Sequence, residues 1–157
     1  MVILVGCVIS MLTYGPRSAL GLFLTPMTKA RGWSREVFAL SIAIQNIMWG
    51  IGQPIAGAIA DRYGTARVLA GGGIIYAIGL YIMAHAEAPL WLHVSAGVLI
   101  GLGIAAASFS IVITAFARVV SPGKRTVAFG IGTAAGSLGQ FVFAPLGQGL
   151  IESFGWV

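Results

Sequence analysis

Charge is what this sequence has least of. Only 8% of its 157 residues are Asp, Glu, Lys or Arg, and the acids number four. A soluble domain has roughly a quarter of its residues charged, so this chain cannot cover a surface that faces water. Cysteine is nearly absent too. Cys7 stands alone in an apolar run, which excludes an intramolecular disulfide and leaves the redox compartment unread. With two histidines and four acids, no metal set and no Ser-His-Asp constellation is spaced for chemistry. No cofactor is expected, and an enzyme is not expected. Polar linkers are missing as well, because most of the 23 glycines sit inside apolar runs, where membrane helices use them for close packing. What the chain has in abundance is apolar surface: 58% hydrophobic residues and a mean hydropathy of +0.96. The expected class is an all-α integral membrane protein with several spans.

The net charge of +5 is no nucleic-acid footprint, since the basic residues are few and fall at the ends of apolar runs. A membrane span needs about 20 mostly apolar residues. Five such runs can be marked, at roughly 2–27, 36–60, 66–86, 90–118 and 122–150, and residues 1–157 read as one bundle. The first run has no basic leader and no small-residue cleavage pattern, so a signal peptide is not expected. Ser34 is placed to cap the second run with Glu36 in its first turn, and Ser121-Pro122 to open the fifth. Trp33, Trp91 and Trp156 lie at run ends, as interfacial aromatics do.

Basic residues set the expected orientation. Arg62, Arg67, Arg118, Lys124 and Arg125 follow the second and fourth runs, against Lys29, Arg31 and Arg35 after the first and none after the third. The larger group belongs in the cytoplasm, and the N-terminus with it. A bacterial cytoplasmic membrane is the expected location. The chain opens in an apolar run and stops at the end of "FGWV", so it reads as a piece of a longer protein.

Polar residues show which faces avoid lipid. On the first run Ser10, Tyr14, Arg17, Gly21, Thr25 and Thr28 advance by three or four, one face of a helix. Thr126, Thr133, Ser137, Gln140 and Gln148 make a similar stripe on the fifth. The second run carries Ser41 and Gln45 on one face and Asn46, Gly50, Gln53 and Gly57 on another, and the fourth carries Ser110 and Thr114. Between Val68 and Ala84 the third run has only the hydroxyls of Tyr76 and Tyr81, so it reads as facing lipid. Gly97/Gly101 and Gly132/Gly136 are expected to be close-packing positions.

Arg17 is the costly residue. Arginine near the centre of a membrane helix costs at least ~2.5 kcal/mol. About 15 residues of the run precede it and about 9 follow before Pro26, which at 1.5 Å per residue leaves it a few ångströms from the middle. Glu36, Asp61, Glu87 and Glu152 all fall at run ends, so no acid matches its depth. A cation facing a cavity without a counter-charge is suited to an anion, and the guanidinium fork suits a carboxylate. Pro16, Gly15 and Gly21 loosen the helix around it.

The stretch "GAIADRYGTARV", Gly57 to Val68, matches G-x-x-x-D-R-x-G-x-x-R between two helices. Gly64 can take the left-handed turn. Asp61 can accept from a helix N-terminus or from an arginine such as Arg118. With Gly57, Asp61, Arg62, Gly64 and Arg67 in place, the loop resembles the motif between the second and third helices of the major facilitator superfamily. That resemblance implies the first five of about twelve helices, with the motif bracing a cytoplasmic gate and its Asp meeting the opposite half. It also implies an outlying third helix, as the polar faces suggest.

Within the superfamily, "YGPRSALGLFL" and "GWSREVFALSIAI" are similar to the monocarboxylate transporters and the related oxalate–formate antiporters. There a proline followed by a cation sits after an aromatic, and the cation contacts the substrate carboxylate, which implies Tyr14, Pro16 and Arg17 here. The drug antiporters differ: their fourth-helix arginine is replaced by Gly97, and their fifth-helix Gly-Pro pair by Ala144-Pro145.

The expected function is therefore secondary active transport of a small organic anion, a monocarboxylate, by symport with a proton or exchange against a counter-anion. Arg17, Tyr14 and Gln140 are the expected substrate contacts. Gly57, Asp61, Arg62, Gly64, Arg67 and Arg118 are the expected gate. The lipid bilayer, the anion and the missing half are the expected partners, with no nucleic acid and no metal. The competing reading is a membrane scaffold or assembly subunit in which the polar stripes only glue helices together.

Overall fold

A computed structural model describes residues 2–155; the side chains of Val2, Ala115 and Arg118 lie outside what it describes, as does Trp156. The described chain is helical rods joined by short corners. The first rod runs from α1 (Val2–Ala19) through a 3-10 turn (Leu20–Phe23) into α2 (Leu24–Arg31). It extends past residue 27, and Lys29 and Arg31 occupy its last turn, where the helix dipole favours cations. Gly32, at φ 67°, ends it in the left-handed conformation that glycine adopts without strain. Ser34 then takes the extended backbone of an N-cap, and its carbonyl, not its hydroxyl, accepts the first bond, from Val37 N–H at 3.2 Å.

The second rod is α3 (Arg35–Tyr63), which turns at Gly64 (φ 96°) into α4 (Thr65–Ala84). The fourth span is irregular. It consists of α5 (Pro89–Leu92), a π-helical stretch (His93–Leu99), α6 (Ile100–Ala106), a break at Ala107 and Ser108, and α7 (Phe109–Val119). Ser108 is extended there, at φ −67° and ψ 154°. After a 3-10 turn (Pro122–Lys124) the last rod is α8 (Arg125–Phe154).

Four described helices are long and apolar enough to cross a membrane: Ile3–Arg31, Thr65–Ala84, Pro89–Thr114 and Pro122–Phe154. α3 is as long, at 29 residues, but Gln45, Asn46 and Gln53 lower its hydropathy. The fourth span is the centre of the bundle, with 61% of its apolar window buried against 22% for α4. α3 and α4 pack on α6 and the π-helical stretch, while α1 packs along α8. Glycines allow the close approach. A Cβ on Gly101 would lie 2.7 Å from the Gln45 carbonyl oxygen, and one on Gly139 would lie 2.7 Å from Met11 Cα. The expected role of Gly97/Gly101 and Gly132/Gly136 agrees with this packing. On α4, Ile74, Ile78 and Tyr81 point outward, as a lipid-facing helix requires.

Candidate functional site

The turn at Gly32 decides what meets Arg17. Arg17 lies fifteen residues before Gly32 and Asn46 fourteen after it, so two rods folded back at that glycine bring both to one depth. Arg17 Nη2 donates to Asn46 Oδ1 at 2.7 Å. The guanidinium carbon lies 4.5 Å from the centre of the Trp49 ring, one helical turn further along α3, a cation–π geometry. Arg17 Nε is buried with no hydrogen-bond acceptor, and so is Trp49 Nε1. Glu36, Asp61, Glu87 and Glu152 are exposed at rod ends, and Glu152 accepts from Gln148 at 2.7 Å.

Arg17 opens onto a cavity of about 260 Å³ whose walls include Tyr14, Ser18, Gln45 and Gln140. The three residues expected from the sequence to meet a substrate, Arg17, Tyr14 and Gln140, are thus brought together from α1 and α8. A second cavity of about 160 Å³ lies on the other side of Tyr14 and Gln140, which line both. Phe109, Thr133 and Ser137 wall it, over Gly132 and Gly136. Gln45 is 1% exposed, and its Nε2 donates to the Ala96 carbonyl at 2.9 Å, joining α3 to the π-helical stretch.

Asn46 and Trp49 were not legible as partners of Arg17 from helical faces alone. The signal was their distance from the turn, counted in residues. His93 is half-buried, with Nδ1 2.8 Å from Ser41 Oγ, because the π-helical stretch turns it toward α3. His85 is exposed, and its Nδ1 donates to the Tyr81 carbonyl at 2.9 Å.

The second set of residues sits elsewhere. Asp61, Arg62 and Arg67 are exposed around the α3–α4 corner, where Gly64 N–H bonds the Ala60 carbonyl at 3.0 Å. Gly57 is half-buried one turn earlier, and the Arg62 guanidinium lies 5.3 Å from the Tyr63 ring centre. Asp61 is fifteen residues from Asn46 along α3, about 22 Å at 1.5 Å per residue, so this corner takes no part in the Arg17 cavity. The expected partner Arg118 has its side chain outside the described residues.

The sequence model of the Major Facilitator Superfamily matches residues 6–157. The chain belongs to that superfamily. Superfamily members of the monocarboxylate branch are membrane transporters and not enzymes. Among curated relatives, monocarboxylate transporter 11 of Mus musculus is 30% identical over 149 residues, covering 92% of this chain and 32% of its own. Monocarboxylate transporter 3 of Rattus norvegicus is 30% identical over 161 residues, 99% of this chain and 31% of its own. Monocarboxylate transporter 13 of Rattus norvegicus is 30% identical over 120 residues, 76% of this chain and 27% of its own. The chain thus spans about a third of the length of these superfamily relatives.

Proposed function

We propose that this chain is the N-terminal bundle of a secondary transporter for a small organic monocarboxylate, with Arg17 as the anion contact. One observation carries the reading. The half-buried Arg17 keeps a buried, unpartnered Nε beside a cavity, and the hydrogen-bond acceptor it meets among the described residues is a neutral amide. In a low-dielectric setting a bidentate carboxylate is the ligand that such a fork best accepts. The names of the relatives support the monocarboxylate class. Tyr14 and Gln140 are the neighbouring hydrogen-bonding groups, between the anion end and the second cavity.

Transport on this reading is alternating access, with the site between two halves that rock around it. The relatives are about three times as long as the matched segment, and their extra length supports a second half that completes the site. Gly57, Asp61, Arg62, Gly64, Arg67 and Arg118 form the gate, on the cytoplasmic side with the N-terminus. The coupling is either symport with a proton or exchange against a counter-anion. The relatives named above are vertebrate proteins and give a bacterial membrane no support.

The deciding experiment is uptake by cells expressing the whole reading frame, wild type against Arg17→Ala at matched surface abundance. The variant is expected to insert normally and lose uptake of two- to six-carbon monocarboxylates. Undiminished uptake overturns the site. Preloading cells with unlabelled anion separates exchange, which speeds up, from proton symport, which instead follows the pH gradient.

A further inference from the structure

The group that holds Arg17 is an amide where a carboxylate would bind more strongly. Asn46 Nδ2 donates to the Ile42 carbonyl at 2.9 Å, which fixes the amide with Oδ1 toward the guanidinium. Oδ1 then takes one N–H of Arg17, at 2.7 Å. A guanidinium has five donors in a planar fork, so one neutral acceptor leaves most of them to be filled. Trp49, one turn along α3, lies 4.5 Å from the guanidinium carbon. Its ring face limits where the fork can swing. Asn46 and the bond it makes to Arg17 are both exposed, beside the cavity that Arg17 lines.

We infer that Asn46 is a positioning residue that stands in for one substrate oxygen in the empty carrier, holding the Arg17 fork ready without neutralising it. The inference rests on Arg17 being the anion contact. Its physical core is the difference between an amide and a carboxylate of the same shape. A carboxylate at this position would pair with the fork bidentately and cancel its charge, so an anionic substrate would have to displace a like-charged competitor. The amide oxygen offers a dipole only. It partly offsets the cost of a cation at this depth and yields to any full negative charge. A selective carrier needs both properties: an arginine that does not collapse onto the wall, and one that is still unsatisfied.

The test compares three substitutions in the whole reading frame, each corrected for surface abundance. The readout is the half-saturating concentration and maximal rate for whichever monocarboxylate the wild type carries best. Asn46→Asp, which changes shape least, is expected to cut uptake at least tenfold. Asn46→Ala, which removes the hold but adds no charge, is expected to raise the half-saturating concentration three- to tenfold with the maximal rate nearly kept. Arg17→Ala is expected to abolish uptake. If Arg17→Ala abolishes uptake while Asn46→Asp matches wild type, the positioning role is overturned and the anion site survives. If Asn46→Asp and Asn46→Ala fail equally, Asn46 is only a packing residue, and the inference also falls. If Arg17→Ala carries substrate normally, the site itself is wrong and the inference falls with it.

Discussion

Thr13 Oγ1 lies 3.2 Å from the Ala107 carbonyl oxygen, a buried contact between residues 94 apart in sequence. The same hydroxyl lies 2.8 Å from the Ile9 carbonyl, so it is shared between its own helix and the break in the fourth span. The break frees backbone carbonyls at a depth where no water can satisfy them, and such groups need a partner. Thr13 supplies one. Thr13→Val keeps the volume and removes the donor, and is expected to cost about 1 kcal/mol. Thr13→Ser is expected to retain most of it. Thermal unfolding of the detergent-purified carrier would show the difference; equal midpoints for Val and Ser would mean the bond contributes nothing.

Arg17→Lys keeps the charge but replaces the planar fork with a point charge that can neither bind a carboxylate bidentately nor stack on Trp49 in the same way. On the proposed function, its apparent affinity for a monocarboxylate should fall about tenfold, or about 1.4 kcal/mol. Concentration-dependent uptake measures this. A lysine variant with wild-type affinity would mean that charge alone matters.

Cavity and lipid faces of α8 can be told apart chemically. Ser137 and Gln140 line the second cavity, whereas Leu138 and Phe141 are exposed apolar side chains on the same helix. In a background with Cys7→Ser, cysteines at 137 and 140 should react with a membrane-impermeant thiol reagent at least tenfold faster than cysteines at 138 and 141. Equal rates at all four positions would favour stripes that serve only helix packing.

Gly101→Ala would place a methyl 2.7 Å from the Gln45 carbonyl oxygen, a backbone atom that cannot swing away. Such overpacking costs roughly 1–3 kcal/mol. Gly50→Ala, on α3 with open space around it, should be near neutral. Comparing the two unfolding midpoints checks whether α3 and α6 approach as closely as described.

Arg125 caps the fourth span from outside its sequence. Its Nη2 donates to the Ala117 carbonyl at 2.7 Å and its Nε to the Val120 carbonyl at 3.3 Å, filling acceptors that a helix end leaves open. Arg125→Ala is expected to lower stability by about 1–2 kcal/mol while leaving substrate affinity unchanged. A large affinity change without loss of stability would instead place Arg125 in the transport cycle.

Legibility in the sequence followed the strength of each local signal. Poverty in charge and five apolar runs were enough for an all-helical membrane bundle, because no solvent-exposed alternative exists for such a composition. Gly64 marked its corner, since glycine takes such a positive φ without strain; Gly32, which does the same at the other corner, was not singled out. Arg17, Tyr14 and Gln140 were legible as polar residues on inward faces. Asn46 and Trp49 were not, because both rods had to fold back before their depth could be compared. The break at Ala107 and Ser108 has no proline or glycine to announce it. Nothing in "GIAAASFS" distinguishes it from continuous helix until Gly72 of α4, whose Cβ would lie 2.6 Å from Ala106 Cβ, is packed beside it.

By itself, the sequence determined that the chain lies in a membrane, roughly where its spans fall, and that it carries an arginine at a depth that none of the four acids of these runs matches. Those are properties of composition and of residues read one helix at a time. Only the tertiary structure decided that the arginine is met by an amide and an indole ring, and that Tyr14 and Gln140 share the walls of two cavities. It alone decided that the fourth span breaks against Thr13. Each of these depends on side chains far apart in the chain arriving at one depth on facing helices, and that is set by corner geometry and glycine contacts between rods, which no single run of residues contains.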